Sequence, residues 1–257
     1  VNGATTNYTA NSLNQYTAAG STTFSYDLDG NLVQETGPGG VKTYTYDLQN
    51  RLIRVQTPQG LWQYEYDVLG NRAAVIVNGQ RTEYLVDPTG LGDVVGEFAG
   101  GNLVAHYTQA QGLASRVDTV GVATYYAFDA NGNTAQLTGQ TGAVLNSYSY
   151  LPFGERLSAG GTTPNPFTFV GQFGVMAEDN GLNFMRARFY SPAEGRFLSQ
   201  DPLRLGGGRG GDRRARQPML LQRRLHDCKI VVRHLLGMDE LHAGAARDAR
   251  RGRDHIG

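Results

Sequence analysis

A Tyr-Asp pair that returns every 20 residues is the feature that most constrains how this chain can fold. Tyr26-Asp27 is followed by Tyr46-Asp47 and then by Tyr66-Asp67. A period of this size indicates a supersecondary unit that cannot bury its apolar face alone and has to pack against its neighbours. The sequence therefore predicts a repeat architecture over residues 24–76.

Each unit has the pattern of a β-hairpin. Aromatic and polar residues alternate before each Asp, as in Phe24-Ser25-Tyr26, so the rings should lie on one face of a strand. The Asp should open a turn, because its carboxylate can accept hydrogen bonds from backbone N–H groups two residues on and a following glycine can adopt a positive φ. Two strands of about 5–6 residues with two turns fill one period.

The pattern weakens on both sides of the three clear copies but persists. Tyr8 and Tyr16 are faint echoes before them, and Tyr84–Pro88 follows them. The full motif returns at residues 126–133 with Phe in place of Tyr, and at Tyr148–Gly154 Leu-Pro replaces the Asp. The motif residues that should shape the turns are Tyr26, Asp27, Gly30, Asn31, Tyr46, Asp47, Tyr66, Asp67, Gly70, Asn71, Phe128, Asp129, Gly132 and Asn133.

The Tyr-Asp-x-x-Gly-Asn motif resembles the YD repeats of the Rhs, wall-associated-protein and teneurin families. A later ordered segment is similar to the Rhs-associated core box, and it comprises Pro166–Gln172, Gly181–Pro192 and Gly195–Pro202. The chain is accordingly divided into a YD-repeat hairpin array (1–155), a core box (156–205) and a tail (206–257).

The resemblance implies an all-β fold in which antiparallel hairpins form part of a spiral shell and the core box plugs or closes it. Bacterial members of these families enclose a variable C-terminal toxin domain and depend on a secretion or delivery apparatus. A structural role in intercellular competition is expected, with no cofactor, and with the protein secreted or at the cell surface. A surface module for adhesion or carbohydrate binding is the alternative.

Many Rhs-type shells resemble aspartyl autoproteases that cut the chain after the core box. By position, the family's Arg and first Asp fall on Arg188 and Asp201, but the second Asp-Pro-x-Gly run is absent, and Arg223 and Arg224 stand near its expected place. Two carboxylates sharing a proton are needed to activate a water molecule in this chemistry. We therefore expect Arg188 and Asp201 to form an ion pair or cap a turn, and self-cleavage to be lost.

The tail differs in composition from everything before it. All 25 aromatic residues and a net charge of −7 lie in residues 1–202, whereas residues 203–257 carry +7, so that the whole chain of 257 residues is neutral. We expect the tail to be disordered or weakly helical, and three interpretations stay open. These are a small toxin domain, a nucleic-acid-binding tail and a shifted reading frame after the core box.

The candidate residues of the tail follow from those interpretations. A toxin would draw its catalytic groups from His226, His234, His242 and His255. A nucleic-acid contact would use arginines such as Arg213, Arg214 and Arg216 to neutralise phosphates. Cys228 next to His226 and Asp227 does not predict a metal site, since no second ligand cluster is suitably spaced.

Several other function classes find little support in the sequence. No run approaches the roughly 20 apolar residues of a membrane span, and residues 1–20 lack the basic start and apolar run of a signal peptide. His106 should lie on a strand surface. Rings at every second strand position predict packing rather than stacking on sugars or bases.

Overall fold

The computed structural model describes residues 5–89 and 92–200. Within them the regular secondary structure is almost entirely β-strand, which confirms the all-β prediction. The tail lies outside the described residues. The strands are β1 (Tyr8–Ala10), β2 (Tyr16–Ala19), β3 (Thr22–Tyr26), β4 (Leu32–Gly37), β5 (Gly40–Tyr46), β6 (Leu52–Thr57), β7 (Gly60–Tyr66), β8 (Arg72–Val77), β9 (Gln80–Val86), β10 (Val94–Ala99), β11 (Asn102–Gln109), β12 (Leu113–Asp118), β13 (Ala123–Phe128), β14 (Thr134–Gly139), β15 (Val144–Tyr150), β16 (Arg156–Gly160), β17 (Met176–Ala177), β18 (Asn183–Met185), β19 (Arg188–Ser191) and β20 (Arg196–Phe197). One 3₁₀ turn, Gly171–Phe173, precedes β17.

The first 16 strands form one antiparallel sheet in chain order, which we call the repeat sheet. Each of these strands pairs with the next one in the chain, so the sheet is a continuous antiparallel meander. In the described part of the chain β1 and β16 pair only on one side, so the sheet is open and not a closed barrel. Strand β16 lies within residues 156–205 and yet pairs with β15 as the last strand of this sheet.

The alternation of rings and polar residues places the rings on a single face of the repeat sheet. In β7, Trp62 and Tyr64 are buried while Gln63 and Glu65 are exposed, as a strand period of two requires. The strand register shifts at the last aromatic of each motif, for example between Glu65 and Tyr66. Such a bulge turns the side chain at that position and increases the local twist.

The core box covers the aromatic face of the repeat sheet. Its residues form a small antiparallel sheet in the order β17-β18-β19-β20. Buried side chains from both parts share one apolar cluster, with Phe24, Tyr44, Trp62, Tyr64 and Tyr107 from the repeat sheet and Phe167, Met176, Phe184, Phe189 and Leu198 from the core box. The predicted packing role of the aromatic face is therefore confirmed.

No helix in the described part of the chain is long and apolar enough to cross a membrane.

Candidate functional site: the interface between the repeat sheet and the core box

The Asp of each motif organises its turn as the sequence predicts. The Asp67 carboxylate accepts from the backbone N–H of Leu69 at 2.8 Å and from that of Asn71 at 2.8 Å. Asp47 and Asp129 make the same pair of contacts in their own turns. Gly70 supplies the left-handed residue with a φ of 81°, and Asn50 takes that position in the second copy with a φ of 58°.

The motif asparagines are buried and connect the turns to other parts of the molecule. Asn31, Asn71 and Asn133 each donate from the side-chain amide to the motif Asp, at 3.0, 2.7 and 2.8 Å. Asn31 also donates to Asn50 of the next repeat at 2.9 Å. Asn133 accepts from the backbone N–H of Val170 in the core box at 2.9 Å. The motif Asn therefore stabilises its own turn and, in addition, contacts neighbouring segments.

In three repeats the tyrosine at the motif position connects one repeat to the previous one. Tyr46 donates from its hydroxyl to the carbonyl of Leu32 at 3.0 Å, and Tyr66 donates to that of Leu52 at 2.7 Å. Tyr150 makes the equivalent contact with Thr134 at 3.0 Å. Phe128, which occupies the same motif position, has no hydroxyl and cannot make it. Burial raises the pKa of Tyr66 well above its usual range, so the hydroxyl keeps its proton and acts as a donor.

Aromatic contacts run along the interface. Tyr64 packs against Phe189 with ring centroids 4.6 Å apart, and Tyr107 meets Phe167 edge-on at 5.1 Å. Backbone contacts accompany them, since Leu32 N–H donates to the Leu198 carbonyl at 2.8 Å. A Cβ at Gly132 would lie 2.5 Å from the Phe173 ring, so this motif glycine is also needed for the close approach of the core box. The rings therefore face protein and not solvent.

A buried ion pair also joins the repeat sheet to the core box. Arg72 of β8 donates to Glu178 of the core box, and the two side chains are only 1% and 7% exposed. The same guanidinium donates to the Met176 sulfur at 3.0 Å and lies 4.2 Å over the Phe184 ring. Burial disfavours the cation, but Glu178 beside it and the surrounding tyrosines raise the pKa of Arg72 above its ordinary value. The Arg72 guanidinium thus keeps its charge inside the protein.

Two further polar contacts extend this connection. Asn180 of the core box donates to the Tyr64 hydroxyl at 2.8 Å, and Arg186 pairs with Asp93 at 2.7 Å. All of them join residues about a hundred positions apart in the sequence.

The repeat pattern alone does not predict the role of Arg72. Arg72 occupies the position that Leu32 and Leu52 occupy in the two preceding repeats, and both leucines are buried. A charge at an otherwise apolar and buried position was the signal that could have identified it.

The residues predicted from the autoprotease resemblance are only partly described. Arg188 begins β19, and its guanidinium lies 3.8 Å from the centroid of the Phe197 ring. Asp201 lies outside the described residues, so their pairing stays a prediction. The same holds for His226, His234, His242, His255, Cys228 and the tail arginines. His106 is exposed on β11, as predicted.

A protein-family model matches part of the repeat region. Residues 26–61, which span the first two clear repeats, match the model of the RHS repeat. Residues 26–61 therefore carry an RHS repeat.

Two curated relatives are named toxins, and a third is named a nuclease. The chain is 31% identical over 137 residues to the tRNA nuclease WapA of Bacillus subtilis, which is 52% of this chain and 6% of that protein. It is 37% identical over 86 residues to double-stranded DNA deaminase toxin A of Burkholderia cenocepacia, or 31% of this chain and 6% of that protein. It is 51% identical over 43 residues to toxin protein Tse5 of Pseudomonas aeruginosa, or 17% of this chain and 3% of that protein. The chain therefore spans only a small part of the length of these relatives.

A solved structure shares the fold. The crystal structure of TcdB2-TccC3 superimposes with a TM-score of 0.50 and 14% sequence identity, over 71% of this chain and 12% of that chain. At this identity the likeness concerns the β-architecture alone. It agrees with the repeat-built sheet expected for this family.

Proposed function

We propose that this chain is part of the wall of an RHS shell, together with the core box that closes its inner face, and that the shell serves toxin delivery. The observation that supports this most is the packing of the core box along the aromatic face of the repeat sheet, fastened by the buried pair of Arg72 and Glu178. A shell wall needs an inner surface that is covered rather than left apolar and exposed. Relatives with toxin names support the delivery role.

The partners follow from this proposal. In the complete protein the shell would encapsulate or display a C-terminal toxin domain and would use a secretion or delivery apparatus to reach the cell surface or the medium. The glycan contact of the adhesion alternative has less support, because the large rings of the inner face pack against the core box and are not exposed for stacking on sugars.

A competition experiment in the producing bacterium tests the proposal. Deleting the coding region of this protein should abolish the producer's inhibition of a sibling strain from which the same region is absent. Chromosomal Glu178→Ala should reduce inhibition, because the core box loses its buried ion pair with Arg72. Glu83→Ala, on the exposed face of β9, is the matched control and should inhibit like wild type. Unchanged inhibition after the deletion would contradict a role in toxin delivery.

We further propose that this chain does not cut itself after the core box. The proposal rests on the sequence, which has Arg188 and Asp201 but lacks the second Asp-Pro-x-Gly run. The purified chain should stay at full mass by mass spectrometry after prolonged incubation. Cleavage downstream of Asp201 that Asp201→Ala abolishes would contradict it.

A further inference from the structure

A cavity of about 670 Å³ lies between the first strands of the repeat sheet and the end of the core box. Aromatic rings from both parts line it, namely Tyr8, Tyr16, Phe24, Tyr26, Phe153, Phe169, Tyr190 and Phe197. Sites for small ligands typically measure about 300–1,000 Å³ and combine an apolar lining with a few polar groups. The cavity has both the size and the lining of such a site.

The acidic group in this cavity is Glu194, in the turn between β19 and β20. Among the described residues Glu194 forms no ion pair, whereas its neighbour Glu35 is engaged by Lys42 at 3.0 Å and by the Tyr44 hydroxyl at 3.1 Å. Burial and the charge of Glu35 raise the pKa of Glu194 from 4.5 to about 7. Lys42 and a backbone hydrogen bond of Glu194 oppose this rise without cancelling it, so a cation that reaches the half-buried carboxylate should stabilise its ionised form.

The protein itself shows how a cation is held at these rings. The Arg196 guanidinium lies 3.7 Å from the centroid of the Tyr16 ring and donates to the Asn14 carbonyl at 2.6 Å. Arg196 is thus occupied at the strand β1–β2 side of the cavity and is not paired with Glu194. Tyr26 and Tyr190 line the same cavity and are close enough to Glu194 for its charge to raise the pKa of each hydroxyl.

We propose that this cavity binds an organic cation, a guanidinium or alkylammonium group, with the positive charge beside Glu194 and against the surrounding aromatic rings. Aromatic faces attract such cations through the ring quadrupole, and the attraction grows when the cation is desolvated. The carboxylate adds charge complementarity and a hydrogen-bond acceptor. The inference stands apart from the shell function and does not depend on it.

Binding should depend on pH, because only the ionised carboxylate attracts the cation. The titratable or charged groups that surround Glu194 on the packed elements are Glu35, Lys42, Tyr26, Tyr44, Glu155, Tyr190 and Arg196. Burial raises the pKa of Tyr26, Tyr44 and Tyr190, so these hydroxyls stay neutral near pH 7. Affinity should therefore rise as the pH increases through about 7, where Glu194 ionises.

The test is a titration of the full chain with N-acetyl-argininamide, followed by calorimetry or by NMR. We expect a Kd below about 1 mM at pH 8, and binding at least about tenfold weaker for N-acetyl-citrullinamide, which has the same shape without the charge. Glu194→Gln should weaken binding of the arginine compound by about tenfold or more and remove its pH dependence. Glu83→Gln, which changes an exposed carboxylate of β9 outside the cavity lining, is the matched control and should bind like wild type.

A capped Ala-Arg-Ala peptide distinguishes two sources of the cation. Tighter binding than that of N-acetyl-argininamide indicates a side chain of a polypeptide, and equal or weaker binding indicates a free small molecule. Thermal melting verifies that the Glu194→Gln variant is folded. If the variant is unfolded, the proposal is tested on the unmodified chain by the citrulline comparison and the pH series. No binding at about 1 mM, equal binding of the citrulline compound or a flat pH series would overturn the proposal.

Discussion

The repeat sheet and the core box are held together by contacts of different range. In the repeat sheet each hairpin contacts the next, and the connections recur, as in the hydroxyl contacts of Tyr46 and Tyr66 with carbonyls 14 residues earlier. The core box makes unique contacts that reach back much further, with 106 residues between Arg72 and Glu178. A lost repeat contact leaves its copies in place, whereas a lost core-box contact has no copy. Loss of a core-box contact should therefore lower the free energy of unfolding more than loss of a contact between repeats.

The largest expected effect comes from breaking the buried pair. Glu178→Ala leaves the Arg72 guanidinium, with a side chain 1% exposed, without its carboxylate, and this should lower the free energy of unfolding by about 3–5 kcal/mol. Urea unfolding followed by tryptophan fluorescence measures it, because Trp62 is buried in the shared cluster. Glu65→Ala is the control, since Glu65 forms an exposed pair with Arg81 and its loss should cost at most about 1 kcal/mol. Equal losses would remove the distinction between the two regions.

The second expected effect is a pH dependence that belongs to the core box. Glu194 has a folded-state pKa of about 7 against an ordinary 4.5, so the folded state holds its proton longer than the unfolded state. The free energy of unfolding should therefore fall by about 3 kcal/mol as the pH rises from 4.5 to 7, and level off above that. Urea unfolding of wild type and Glu194→Gln across this range isolates the contribution as the difference between the two curves. If the difference in unfolding free energy between wild type and Glu194→Gln did not change with pH, the raised pKa of Glu194 would be contradicted.

A smaller effect is expected for one motif turn. Asp67→Ala removes the acceptor for the N–H groups of Leu69 and Asn71, and the loss should be about 1–2 kcal/mol. Asp29→Ala is the control, because Asp29 is an exposed turn residue of the first repeat. If Asp67→Ala lowered the free energy of unfolding as much as Glu178→Ala, a contact within one repeat would matter as much as a core-box contact, which would contradict the comparison.

The smallest expected effect concerns one hydroxyl between repeats. Tyr66→Phe keeps the ring but removes the donor to the Leu52 carbonyl, which should cost about 0.5–1.5 kcal/mol. The native Phe128 shows that the fold accepts a ring without this hydroxyl. Tyr125→Phe, with a Tyr that is 46% exposed, should change nothing measurable. A cost above about 3 kcal/mol for Tyr66→Phe would contradict the additive, recurring nature of these contacts.

The local parts of the fold could be predicted from the sequence because their physical causes are local. The alternation around Tyr64 fixes which strand face is buried, and Asp67 with Gly70 fixes the turn, all within a few residues. The pairing of Arg72 with Glu178 could not be predicted. It depends on how the core box lies on the sheet, and one sequence gives no measure of proximity across 106 residues.

The cavity at Glu194 escaped the sequence analysis for the same reason. Glu194 follows Ser191-Pro192-Ala193 in a segment that suggests only a turn, and Tyr16 and Tyr26 come from strands near the other end of the chain. Only the packed structure brings these groups to one place.

A double-mutant cycle on Arg72 and Glu178 tests most directly whether the core box is fastened to the repeat sheet by this buried pair. The unfolding free energies of wild type, Arg72→Leu, Glu178→Leu and the double variant are measured in urea. We expect the double variant to be more stable than the sum of the single losses implies, by about 2 kcal/mol or more, because each single variant leaves an unpaired buried charge. Single losses that add to within about 0.5 kcal/mol would contradict the account.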